Sequence, residues 1–136
     1  MKNIKRLLVL KNIYLSAALI WTCSILVLCL ASFSNLPDVG VKNADKYVHF
    51  TFHFVFVLLW ALYYNYKKAE SIFKSTVVIL IVSFLFGIII EIAQQVFTST
   101  RKFDILDVSA NTTGAFSALL IILIFHFAYK SISKVK

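Results

Sequence analysis

The sequence predicts an all-α membrane protein: one domain, folded as a compact bundle of four transmembrane helices. Three observations lead there. Hydrophobic side chains make up 60% of the 136 residues and charged ones 15%, whereas the apolar share of a soluble domain is roughly half. The apolar residues gather into four runs, about 12–34, 45–64, 75–97 and 108–129, each near the roughly 20 residues that a helix needs to cross a bilayer. The charges lie almost wholly between or outside those runs, and no Pro/Gly/Ser-rich linker or internal repeat divides the chain.

The first run follows a basic start, Met1-Lys-Asn-Ile-Lys-Arg6. Its apolar stretch from Ile13 to Leu30 exceeds the roughly 7 to 15 residues of a signal-peptide core, so an uncleaved first span is expected. Cys23 and Cys29, about 240° apart on one helix, cannot pair with each other; they read as small buried apolar residues. Asn35-Leu-Pro37-Asp38-Val-Gly40 breaks the chain, because proline lacks a donor and glycine tolerates positive φ. The second span is aromatic-rich, with Tyr63, Tyr64 and Tyr66 suited to an interfacial belt. A basic loop over Asn65–Lys74 leads into the third span. A short connection, Thr98–Phe103, leads into the fourth, which ends in a basic tail.

The net charge of +8 reports topology, and no nucleic-acid partner is expected. Ten of the fourteen Lys and Arg flank the N-terminus, the middle loop and the C-terminus; the other four are Lys42, Lys46, Arg101 and Lys102. The positive-inside rule then makes both termini cytoplasmic. Five of the six acids, all but Glu70, fall in or near the outward half.

Those acids belong to three polar stripes. Asp45, His49 and His53 recur every fourth residue on the second helix. Gly87, Glu91, Gln94, Gln95 and Thr98 share an arc of about 100° on the third, and Asp104, Asp107, Asn111 and Gly114 an arc of about 80° on the fourth. A charge facing lipid costs roughly 2.5 to 3.5 kcal/mol, so the stripes should face one another, or a cavity, inside the bundle. Gly87 and Gly114 would let the third and fourth helices approach closely there.

Asp45-Lys46-x-x-His49-Phe50, Glu91-x-x-x-Gln95-x-Phe97 and Arg101-x-x-Asp104-x-x-Asp107-x-x-x-Asn111-x-x-Gly114 together resemble the signature of the VanZ-like family, over about Asn43 to Phe127. These are small bacterial membrane proteins named for a teicoplanin-resistance accessory. The resemblance implies a bacterial cytoplasmic membrane location and an association with antibiotics that bind peptidoglycan precursors. It implies no particular reaction.

The candidate cluster is therefore Asp45, His49, Glu91, Gln95, Arg101, Asp104, Asp107 and Asn111. Several members have plainer readings. Asp104 would N-cap the fourth helix with Asp107 at N3, His49 and His53 would be satisfied core histidines, and Lys46, Lys102 and His126 would snorkel at the interface. Glu91 resists such a reading, because a carboxylate within an Ile-rich helix needs a proton, Arg101, Lys46 or a metal to neutralise it. The spacing matches no established metal motif such as His-Glu-x-x-His, so no metal or other cofactor is assigned. Two functions fit: binding an anionic, lipid-linked envelope precursor in an outward pocket, or hydrolase or transferase chemistry on such a lipid, with His49, Glu91, Asp107 and Asp45 as acid–base groups or metal ligands. A structural network that locks the helices in register is the third possibility.

Overall fold

A computed structural model describes residues 2–31, 43–65, 72–98 and 101–133, with side chains from Val9 onward. Four helices follow in order: α1 (Lys2–Leu30), α2 (Ala44–Asn65), α3 (Ile72–Phe97) and α4 (Ile105–Ser133). All four are long and apolar enough to cross a membrane, the first over Val9–Leu30.

The helices run further than apolar content alone indicates. Lys2–Lys11 joins α1 because Lys, Arg and Leu lose little rotamer freedom in a helix. The expected basic loop is shorter than Asn65–Lys74, since α2 includes Asn65 and α3 begins at Ile72. The Pro37–Gly40 break lies outside the described residues. At about 1.5 Å per residue the 29-residue α4 is roughly 43 Å long, so it exceeds a hydrocarbon core of about 30 Å.

Contacts between side chains fix an up-and-down order. Lys46 meets Asp107 and His49 meets Asn111, so α2 and α4 run parallel. The Asp104 amide reaches Glu91, and Gly87 abuts Asn111, so α3 runs antiparallel to α4. The closest approach is between α2 and α4. A Cβ on Gly114 would collide with the backbone carbonyl of Phe50, so only glycine permits this crossing. Gly114 thus serves the α2–α4 contact rather than the expected α3–α4 one. Gly87 does face α4, where a Cβ would lie 2.9 Å from Asn111 Nδ2 and 3.2 Å from His53 Cε1.

The core collects Ile25 and Cys29 of α1, Phe56, Val57 and Ala61 of α2, Ile79 and Ile90 of α3, and Ala115 and Ala118 of α4. Polar bonds tie the helices where hydrophobic contrast with lipid is absent. Trp21 Nε1 donates to the Phe52 carbonyl (3.0 Å), Trp60 Nε1 to Thr22 Oγ1 (3.2 Å) and Gln94 Nε2 to the Cys29 carbonyl (2.9 Å). All three hold α1, which packs on α2 and α3. Large apolar side chains such as Ile20, Val27, Val78, Ile89, Ile124 and Phe125 are exposed. That is the surface a spanning bundle presents to hydrocarbon.

Candidate functional site

The up-and-down order brings the end of α1, the start of α2, the end of α3 and the start of α4 together, at the end of the bundle opposite Lys2 and Ser133. The approach of α4 is set by its cap. Asp104 Oδ1 accepts from the Leu106 amide (2.8 Å), satisfying one of the free N–H groups of the first turn. In a capping box the N3 side chain would return to the N-cap amide. Here Asp107 occupies N3 and turns away, and Glu91 of α3 faces the Asp104 amide instead, Oε2 lying 3.4 Å from the nitrogen. One carboxylate from a neighbouring helix takes the place of the local one, which frees Asp107.

Asp107 is free to meet Lys46. The Lys46 ammonium donates to Asp45 Oδ2 (2.9 Å), Asp104 Oδ2 (2.5 Å) and Asp107 Oδ1 (2.6 Å), so its three protons are shared among three carboxylates. Asp107 is the buried member, with 8% of its side chain exposed; Asp45 and Asp104 face outward. The Lys46 hydrogen bond, helped by the Leu106 amide, holds the Asp104 carboxyl below the usual carboxylate range.

Behind this layer lies His49, buried against α4 and α3. Nδ1 is 3.1 Å from Asn111 Oδ1 and 3.7 Å from Glu91 Oε1, and Nε2 is 3.7 Å from Asp107 Oδ2. The two 3.7 Å separations exceed hydrogen-bonding distance. Glu91 is fully buried, and its Oε1 has no hydrogen-bond partner; neither does Asn111 Nδ2. A buried acceptor left this way is costly, by roughly 1 to 3 kcal/mol or more for a charged group. Among the described residues two groups are spaced to hold a cation, His49–Glu91–Asp107 and Asp45–Asp104–Asp107.

Two cavities open onto the cluster. A polar one of about 320 Å³ is lined by Asp45, Gln94, Arg101, Lys102, Asp104 and Asp107. A more apolar one of about 220 Å³ is lined by Leu28, Cys29, Val48 and Phe52, together with Asp45, His49 and Arg101. Asp45 and Arg101 belong to both, so the polar chamber adjoins a cleft between α1 and α2.

The structure therefore brings together Asp45, His49, Glu91, Arg101, Asp104, Asp107 and Asn111. Gln95 departs from expectation: it is exposed and lines neither cavity, while Gln94 turns inward. The two residues lie on either side of the helical direction of Glu91, so periodicity favours neither. Lys46, read from sequence as an interface anchor, is instead the most connected charge of the cluster. The signal for it was its position, since Lys46 and Asp45 flank His49 on the same face of α2. Lys102 likewise lines the polar cavity. His53 lies deeper and takes the core role, with Nδ1 2.8 Å from Ser83 Oγ of α3.

Neither the curated proteins nor the solved structures compared with the chain gave a match. The profile of the VanZ/LLP1 family matches residues 5–126, which takes in α2 and α3 whole, most of α1 and α4, and every member of the cluster. The chain belongs to the VanZ/LLP1 family of membrane proteins.

Proposed function

We propose that this end of the bundle binds the anionic headgroup of a lipid-linked cell-envelope molecule, at the outer face of a bacterial cytoplasmic membrane. The observation that carries the reading is the pair of adjoining cavities. A polar chamber with cations at its rim suits a phosphate or carboxylate, and the cleft lined by Leu28, Val48 and Phe52 suits the first carbons of an apolar tail that continues into lipid. Arg101 and Lys102 are exposed and pair with no carboxylate among the described residues, which leaves their donors for a ligand. The positive-inside distribution supports the outer orientation, with both termini cytoplasmic. The likeness to a teicoplanin-resistance accessory extends the proposal to tolerance of glycopeptide antibiotics.

The experiment is lipid mass spectrometry of protein purified from its membrane, side by side with Arg101→Ala. An anionic envelope lipid enriched with the parent chain and lost from the variant is expected. Equal lipid content in both, with unchanged glycopeptide tolerance in a strain that depends on the protein, would sink the reading.

A second reading is a membrane-embedded hydrolase or transferase acting on the same lipid. The observation behind it is His49, set between the carboxylates of Glu91 and Asp107. Turnover of a lipid phosphate by the parent chain and not by His49→Gln supports it; equal turnover in both removes it.

A further inference from the structure

We propose that His49, Glu91 and Asp107 bind one divalent metal ion at the inner edge of the polar cavity. One ring nitrogen and one oxygen from each carboxylate all lie within 4.8 Å of one another. Metal–ligand bonds of about 2.0 to 2.2 Å put two ligands on one ion roughly 3 to 4 Å apart, so only small side-chain shifts close the triad on a shared centre. Three features point to a cation rather than to a closed network of hydrogen bonds.

The first is the orphaned oxygen. Glu91 Oε1 is buried without a partner and faces His49 at 3.7 Å. At that distance from Nδ1, the ring nitrogen that meets Asn111, Oε1 makes no hydrogen bond with the imidazole, so the oxygen is left free to ligate an ion. The second is the division of labour at Asp107, whose Oδ1 is taken by Lys46 while Oδ2 is left 3.7 Å from the imidazole. The third is charge. Four carboxylates (Asp45, Glu91, Asp104 and Asp107) meet at this end, and Lys46 is the one cation paired with them among the described residues. Arg101 and Lys102 line the same cavity but pair with none of these carboxylates, so the four acids still outnumber the three cations, and added positive charge there strengthens the hold on a phosphate. A bound divalent ion supplies it, so the inference rests on and deepens the headgroup reading: the ligand would be a phosphate-bearing lipid held jointly by the ion and Arg101.

The donor set narrows the ion. An imidazole nitrogen with carboxylate oxygens suits first-row ions such as Mn²⁺ or Zn²⁺ better than Mg²⁺ or Ca²⁺, which favour all-oxygen shells. Asn111 holds the ring from its Nδ1 side, the orientation role that outer groups play around ligating histidines.

The test is Mn²⁺ binding to the full chain in nanodiscs of zwitterionic lipid, read by electron paramagnetic resonance, with competition by Zn²⁺. One ion per chain is expected, with loss of the signal in Glu91→Gln and in Asp107→Asn. Arg101→Ala is expected to keep the ion while losing lipid. Thermal melting establishes that each variant is folded, and His49→Gln replaces either one that is not. No Mn²⁺ or Zn²⁺ bound by the parent overturns the proposal. So does binding that survives Glu91→Gln and disappears in Asp104→Asn, because the outer carboxylates alone would then account for it. Lipid without metal overturns this inference and leaves the headgroup reading standing; metal without lipid does the reverse.

Discussion

At the scale of single residues, Lys46 and Asp104 show how the cluster depends on pairing. Lys46→Ala would leave the buried Asp107 carboxylate facing two others with no counter-charge. Breaking a buried pair from one side costs roughly 3 to 5 kcal/mol. Since Lys46 keeps 20% of its side chain exposed, the expected loss is about 3 kcal/mol, measured by denaturation in detergent. A loss below about 1 kcal/mol would mean that water or another cation replaces the ammonium. Asp104 gives a pH signature. Its carboxyl titrates lower in the folded protein than in the unfolded chain, so its contribution is complete above the unfolded value of about 3.9 and disappears as the pH falls through the lower folded value. Thermal melts of the parent and Asp104→Asn should therefore differ by a constant amount from pH 5 to 8 and converge below about pH 4. Convergence already at neutral pH would contradict the Lys46 pairing.

Much of this cluster is legible in the order of residues. Helical spacing groups Asp45 with His49, and Asp107 with Asn111, and the cost of exposing charge to lipid turns those faces inward. Spacing does not settle which of two adjacent side chains enters. Gln94 and Gln95 straddle the direction of Glu91, and their choice follows from the nearby end of α1, where Gln94 finds the Cys29 carbonyl. Helical spacing puts Lys46 beside His49 on α2, but which charges its long side chain reaches, about 60 residues away in sequence, follows only from the assembled helices.

Between elements, glycine decides how closely the helices approach. Gly114→Ala sets a methyl group against the Phe50 carbonyl, a piece of backbone that cannot rotate aside. Overpacking costs about 1 to 3 kcal/mol, and here the upper end is expected, with α2 and α4 pushed apart at the level of His49. Gly87→Ala meets side-chain atoms instead. It should cost about 1 kcal/mol in stability while displacing Asn111 from His49, so a ligand-binding defect larger than the stability loss is the expected pattern. If the Gly114 variant melts like the parent, the close α2–α4 crossing is wrong. From sequence both glycines mark close approach, but the partner of each depends on the up-and-down arrangement, which only the assembled helices reveal.

For the whole molecule, the arrangement separates two tasks. Every charged member of the cluster is carried by α2, α3, α4 or the residues leading into α4, and α1 contributes the apolar side of the cleft through Leu28 and Cys29. That helix is also the least embedded, with 17% of its most apolar window buried against 28 to 33% in the others. It is fastened through Trp21, Trp60 and Gln94. A helix that spans by itself and docks through a few bonds behaves as a separable piece. Residues 1–36 and 37–136 expressed as two chains should therefore find each other in the membrane and co-purify, and Gln94→Ala should weaken their association. Fragments that never co-purify would show that α1 needs the covalent connection to dock. Successful complementation would let the cleft be assembled with altered versions of α1 while the charged cluster stays untouched.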